Sequence, residues 1–190
     1  MTSKNLYRCQ RSNKDELYQQ YHDRERGVPV HDDTIHFEFL LLETFQAWLS
    51  RYTILKKREN FRRAFDHFDY KRIALYQDEK VVELMNNTWI IRNKAKIKAT
   101  IINAQVFIAI QKEFGSWDKY IWWFTDNQTI SHTIISSKET ISCNELSDTI
   151  SIDLKKRGMK FVWSTVIYAH LQATWQINDH EENCWKKHLC

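Results

Sequence analysis

The chain has 190 residues, 43% of them hydrophobic and 27% charged, with a net charge of +4 and an isoelectric point near 8.8. That balance describes a folded single domain over 1–190 with room for a real interior, and it excludes a disordered tail. No stretch reaches the roughly 20 apolar residues of a bilayer span, and "MTSKNLYRCQ" lacks an apolar leader core, so a cytoplasmic protein without membrane contact is expected.

Taken in order, the periodicity is helical nearly throughout. "DDTIHFEFLLLETFQAWL" (32–49) opens on capping-type residues and carries Ile35, Phe39, Leu42 and Leu49 at helical spacings. "TILKKRENFRRAF" (53–65) sets Ile54, Phe61 and Phe65 on one stripe, and "DEKVVELM" (78–85) reads as a short helix. A long helix over 93–115 turns Ile97, Ile101, Ala104 and Ile108 inward and stops at Gly115. "SDTISIDLKKRG" (147–158) starts at Ser147 as cap, buries Ile150 and Leu154 and ends in basic residues; a last helix covers 164–177. "HTIISSKETIS" (132–142) has little period and reads as a polar loop. The expected class is all-α, with about eight to ten helices by this element counting.

Four cysteines in a cytoplasmic chain point to thiols or metal ligands before disulfides. His180 and Cys184, in "NDHEENC", stand four apart, on one face of any helix there. Cys9 and His22 could complete a tetrahedral Cys2His2 site, for which zinc is the best match, and such a site would staple the two chain ends together. Scattered core or surface residues remain the commoner explanation of such spacing. Cys143 and Cys190 read as ordinary thiols.

"LYQQYHDRERGVP", "LLETFQAWLSRYTILKKRENFRRAF", "IIRNKAKI", "SDTISIDLKKRGMKFVWST" and "NDHEENC" resemble, in order and separation, DNA-3-methyladenine glycosylase I. The resemblance spans Cys9 to Cys184. It implies a helix-hairpin-helix glycosylase of two helical lobes, acting as a monomer on double-stranded alkylated DNA and releasing N3-methyladenine by hydrolysis without strand cleavage. It further implies a structural zinc ion on Cys9, His22, His180 and Cys184. By the same resemblance, Glu43 reads the base, Tyr21 and Tyr18 stack on it, and Leu49 lies near the gap the flipped nucleotide leaves. Lys155, Lys156, Arg157, Gly158 and Lys160 belong to the hairpin that holds a DNA phosphate through backbone N–H groups and positive charge.

Eight positions depart from the family, in two ways only. Trp48, Trp89, Trp163, Trp175 and Trp123 stand where the family has glycine, and Arg11, Arg26 and Arg51 stand where it has tryptophan. Arg51 and Arg11 replace aromatic members of the base pocket. Taken literally, such changes would cost more than the roughly 5–15 kcal/mol of stability a domain holds. The chain is also poor in glycine, with 3, and rich in tryptophan, with 8. Translation under a non-native genetic code accounts for both patterns: one codon meaning glycine is read as Trp, and one meaning tryptophan is read as Arg. Taken as written, the chain is expected to be a catalytically impaired, zinc-containing helical DNA-binding homologue, because Arg51, Trp48 and Arg11 crowd and charge the pocket. A helical adaptor would bind neither DNA nor zinc.

Overall fold

The computed structural model describes residues 6–189, so Cys190 and the first five positions lie outside it. Among the described residues the chain forms α1 (Glu16–Arg24), α2 (Asp33–Gln46), α3 (Arg51–Ala64), α4 (Tyr70–Ile73), α5 (Asp78–Asn86), α6 (Lys94–Phe114), α7 (Trp117–Trp123), α8 (Glu145–Lys156) and α9 (Ser164–Ala173). Two short strands, β1 (Ile130–Ser131) and β2 (Ile177–Asn178), pair in parallel. The mostly helical expectation holds.

Local chemistry sets most helix starts. The side chains of Asp15, Asp32, Ser50, Asp69, Asn93, Ser116 and Asn144 each accept from backbone N–H groups of the first turn that would otherwise lack partners. Gly115 ends α6 in the left-handed conformation, at φ 90°. Ser147 is not the cap of α8: Asn144 is, and the hydroxyl of Ser147 accepts from the Asn144 N–H in a reciprocal box, so the helix begins three residues earlier than a Ser147 cap would place it.

α2 forms the centre of the molecule and packs against α3, α6, α7 and α9. Every residue from His36 to Phe45 is buried. The stripe expected there is misplaced at its ends, since Ile35 and Leu49 are 44% and 43% exposed. A helix surrounded on all sides has no polar face from which its inward direction could be read. The main core runs from Phe37 and Phe45 through Phe61, Phe65 and Phe107 to Trp117 and Leu171, with a smaller cluster of Tyr21, Val30, Phe39, Leu55 and Ala173 beneath α1.

α9 stops at Ala173, before 177, because the chain turns through Trp175 at φ 79° and enters β2. The polar segment after 128 is not free loop. Ile130 pairs with Ile177, Ser131 with Asn178, and Ile134 bridges to Glu181, so it lies along the C-terminal segment that carries His180. No helix among the described residues is long and apolar enough to cross a membrane.

Candidate active site and metal centre

Cys9, just before a single 3-10 turn, His22 near the end of α1, and His180 and Cys184 after β2 converge. Their ligand atoms all lie within 4.8 Å of one another and all four residues are buried. Cys9 Sγ stands 3.3 Å from His180 Nδ1, and Cys184 Sγ stands 3.4 Å from His22 Nε2 and 3.5 Å from His180 Nδ1. A tetrahedral ion with sulfur at about 2.3 Å and nitrogen at about 2.0–2.1 Å needs ligand separations of roughly 3.4–3.8 Å, so the donor set fits a metal ion. In the absence of an ion the two thiols share one proton. A hydrogen bond from Cys9, helped by His180 and His22, holds Cys184 far below the usual thiol range as a thiolate. The same hydrogen bond, with burial, pushes Cys9 up. Burial pulls His180 down, towards the neutral form that ligates. Outside the cluster, Asp23 Oδ1 lies 3.0 Å from His22 Nδ1 and is itself clamped by Arg8 at 2.8–2.9 Å, an arrangement that orients a metal-bound imidazole. Gly27 has φ 66°, and a Cβ there would come within 2.6 Å of His180 Nε2, so the cluster closes only over a glycine.

Next to this cluster lies a cavity of about 340 Å³ bounded by α1, the ends of α2 and α3, α9 and residues 140–142. Tyr18, Gln46, Tyr168 and Gln172 line it, together with Arg11, Arg26 and Arg51. The three arginines singled out in the sequence therefore face one cavity. Glu43 sits beneath, almost wholly buried, in an ion pair with Arg51. The Arg51 guanidinium also lies 5.7 Å from the Tyr21 ring centroid, and Tyr21 meets Tyr18 edge-on at 6.3 Å. Burial opposes charge on Arg51 most strongly, but Glu43, Tyr21 and Tyr18 together outweigh it and keep the guanidinium protonated. Burial likewise raises Tyr21, against the opposing pull of Arg51. The Tyr21 hydroxyl and Gln46 Oε1 are buried with no hydrogen-bond partner among the described residues. A second opening beside Glu43 and Gln46 leads past Trp48 and Leu49 towards Trp163 and Thr165.

Leu49 and Trp48 form the exposed α2–α3 turn, where Trp48 is fully exposed at φ 74°. α8 and α9 are joined by 157–163, with Gly158 at φ 104°. Asn103 on α6 pins this turn, donating to the Lys160 carbonyl at 2.9 Å and accepting from its N–H at 2.8 Å. The N–H groups of Gly158 and Met159 bond Lys155 and Leu154 carbonyls at 3.0 Å, so the N–H groups of 158–160 are engaged within the protein. Lys155, Lys156 and Lys160 are exposed. Arg157 is not free: it is bound to Glu113 and Asp153 at 2.6–3.1 Å and lies on the Phe114 and Tyr120 rings. Gln46, Gln172 and residues 140–142 were not singled out in the sequence. The helical spacing of Thr165, Tyr168, Ala169 and Gln172 marks one face of α9 but does not say that it lines a cavity.

A mostly helical chain with a cavity of about 340 Å³ near a buried carboxylate and a Cys2His2 cluster has relatives of known structure. The sequence profile of the methyladenine glycosylases matches residues 11–187. The chain is 39% identical over 179 residues to DNA-3-methyladenine glycosylase 1 of Escherichia coli K12, covering 94% of this chain and 96% of that protein. It is 36% identical over 177 residues to the DNA-3-methyladenine glycosylase of Haemophilus influenzae, covering 93% and 96%. A crystal structure of a 3-methyladenine DNA glycosylase I superposes with a TM-score of 0.91 at 42% identity, covering 94% of this chain and 98% of that one. The chain belongs to the methyladenine glycosylase family and is a DNA glycosylase, a hydrolase of base–sugar bonds.

Proposed function

We propose that the protein releases 3-methyladenine from alkylated double-stranded DNA, as a monofunctional enzyme that flips the nucleotide into the cavity above Glu43. The observation that carries this reading is the Arg51 guanidinium, a planar cation held between Tyr21 and the Glu43 carboxylate. A surface that accommodates one flat cation suits another, and an adenine alkylated at N3 is cationic while still attached to its sugar. Its glycosidic bond is already weakened, so the protein has to extrude the base, orient it and stabilise an oxocarbenium-like sugar, with no strong acid required. Glu43 accepts from the exocyclic amino group and stabilises positive charge. Tyr21 and Tyr18 flank the ring, and the unpartnered Tyr21 hydroxyl and Gln46 oxygen are polar atoms for a ligand to satisfy.

Leu49, exposed at the second opening beside Glu43, fills the gap left in the duplex. α8 and α9 act as the helix-hairpin-helix element. With the N–H groups of 158–160 engaged, a phosphate is met by N–H groups of 161–163 and by Lys155, Lys156 and Lys160, while Arg157 and Gly158 shape the turn. Cys9, His22, His180 and Cys184 hold a structural zinc ion, which when bound ties the N-terminal segment to the C-terminal one. The protein works as a monomer in the cytoplasm.

Arg51 also favours a second reading for the chain as written. With the guanidinium already in place, Glu43 is neutralised and a cationic base is repelled, which describes an impaired DNA-binding homologue. The two readings meet if positions 11, 26 and 51 are tryptophan, and 48, 89, 123, 163 and 175 glycine, in the native protein. Two backbone positions support this: Trp48 and Trp175 have φ 74° and 79°, a region open to glycine and strained for tryptophan. At 89, 123 and 163 φ is not positive, and there the side chains simply point outward. Release of 3-methyladenine from methylated duplex DNA is the test, run on the chain as written and on the version carrying all eight reversions. Activity in the reverted chain is expected; salt-sensitive DNA binding with no base release in either would leave only the impaired homologue. Ordinary tryptophan codons at 48, 89, 163 and 175 in the gene, or an intact native mass matching the written chain, would end the recoding account.

A further inference from the structure

In "NDHEENC", His180 and Cys184 belong to the metal cluster, but Asp179, just before His180, is not part of it. Its carboxylate is wholly shielded from solvent, and three side chains from two separate parts of the chain converge on it. Oδ2 accepts from the Tyr168 hydroxyl and from Gln172 Nε2, both at 2.6 Å, and Oδ1 lies 2.7 Å from His132 Nδ1. Tyr168 and Gln172 are one turn apart on the face of α9 that lines the cavity. His132 follows β1 and opens the segment whose far end, residues 140–142, forms the opposite wall. The backbone beside the carboxylate reinforces the tie, since the Ile130 and His132 N–H groups bond the Gln176 and Asn178 carbonyls at 2.9 and 3.1 Å. One buried carboxylate thus joins a helix wall to a loop wall of the same cavity.

We propose that Asp179 is a positioning residue for base recognition: it fixes the spacing between α9 and the 130–142 segment and so sets the width of the cavity. The inference rests on the proposed base-binding role of that cavity. A carboxylate suits the task because it accepts on several lone pairs at once, and burial makes each bond costly to break. The adjoining residues make the clamp a bridge to the metal cluster as well. The next residue is His180, and the Glu181 carboxylate accepts the Gln10 N–H at 3.1 Å beside Cys9. Cavity and cluster are therefore braced by consecutive residues of one short segment.

The test compares Asp179→Asn, His132→Ala and Tyr168→Phe with the unaltered protein, by hydrogen exchange, bound-zinc stoichiometry and the kinetics of base release from methylated DNA. Loss of a buried hydrogen bond predicts roughly tenfold faster exchange at 130–134 in Asp179→Asn and His132→Ala, with exchange in α2 and α6 unchanged. KM for methylated DNA rises by about the same factor in all three variants, kcat falls less, and zinc stays at the unaltered stoichiometry. Tyr168→Phe leaves exchange at 130–134 unchanged, because it cuts only the helix arm. Exchange that rises uniformly through the chain, or loop exchange and KM that do not move, would overturn the proposal. If Asp179→Asn does not fold, the other two variants decide, since neither alters a neighbour of a metal ligand. A protein that releases no base even with the eight reversions refutes the cavity's proposed substrate, and the exchange pattern alone then judges the clamp.

Discussion

Arg51→Trp should make the chain a better enzyme and a less stable protein. The guanidinium lies 5.7 Å from the centre of the Tyr21 ring, so a base stacked on that ring would stand at a comparable distance from it. Two unit charges about 6 Å apart at an effective dielectric near 20 repel by roughly 3 kcal/mol, about a hundredfold in a rate or binding constant. Arg51 also neutralises Glu43, so its removal returns a carboxylate able to attract the cation. The expected result is a rise of about two orders of magnitude in kcat/KM for release of 3-methyladenine from duplex DNA treated with a methylating agent, followed by chromatography of the freed base. The free protein is destabilised, because breaking a buried ion pair strands a charge, at a cost of about 3–5 kcal/mol. Affinity for undamaged DNA stays the same. An unchanged or lower kcat/KM, with DNA affinity intact, would refute the idea that Arg51 excludes the substrate.

Three further outcomes are expected. Trp48→Gly removes a left-handed tryptophan that is fully exposed and packs against nothing, so relief of about 1 kcal/mol of strain should raise Tm by roughly 2–4 °C, measured by calorimetry; a lower Tm would show the turn is unstrained. Cys184→Ser or His22→Ala should abolish stoichiometric zinc in native mass spectra and lower Tm by roughly 10 °C, several kcal/mol at about 2–4 °C each; unchanged Tm with zinc lost would demote the metal from its structural role. His170 is buried, which pushes its pKa well below the ordinary 6.5, with a smaller contribution from His36 at 3.4 Å. Below pH 6.5 the unfolded chain therefore binds a proton that the folded chain refuses, so stability falls with pH by about 1.4 kcal/mol per unit from this residue, down to its folded pKa. His170→Gln should flatten urea-measured stability against pH between 6.5 and 5.5 by one proton equivalent, and an unaltered slope would contradict it.

Much of the fold could be read from local chemistry. Gly115 as the stop of α6, Asp32 before α2 and the basic end of α8 each act through groups within one helical turn, and such signals survive any tertiary setting. What could not be read depends on contacts between distant residues. α2 is buried on every side, so its apolar pattern carries no direction, and Ile35 and Leu49 are assigned inward wrongly. The 130–142 segment has no period because its order comes from pairing with 177–181, more than forty residues away. Spacing pairs only His180 with Cys184; Cys9 and His22 could be named as completing a Cys2His2 set, but the resemblance was needed to prefer that over scattered residues. Arg157 looks like one more cation in a basic run, yet Glu113 and Asp153 occupy its donors, and only folding brings Glu113 near.

The eight departures from the family form a pattern in space as well as in sequence. Independent substitutions to arginine would scatter over the surface, where charge is cheap, yet Arg11, Arg26 and Arg51 border one cavity, and Arg51 is largely buried in an ion pair with Glu43. Independent substitutions to tryptophan would avoid positive φ, yet Trp48 and Trp175 both occupy it. Trp175 is moreover buried with its indole N–H unpartnered, against Gly27 and the His180 ring of the metal cluster. Meanwhile the Cys9, His22, His180 and Cys184 cluster, Glu43 and Tyr21 all stay in place. Loss of function by drift would erode that geometry first, since a metal cluster fails when any one ligand goes. Two misread codons would alter only what they encode and leave the rest in place; on the proposed recoding, the cavity would be walled by aromatic rings, which attract a cationic base, where the written chain carries guanidinium groups that repel it.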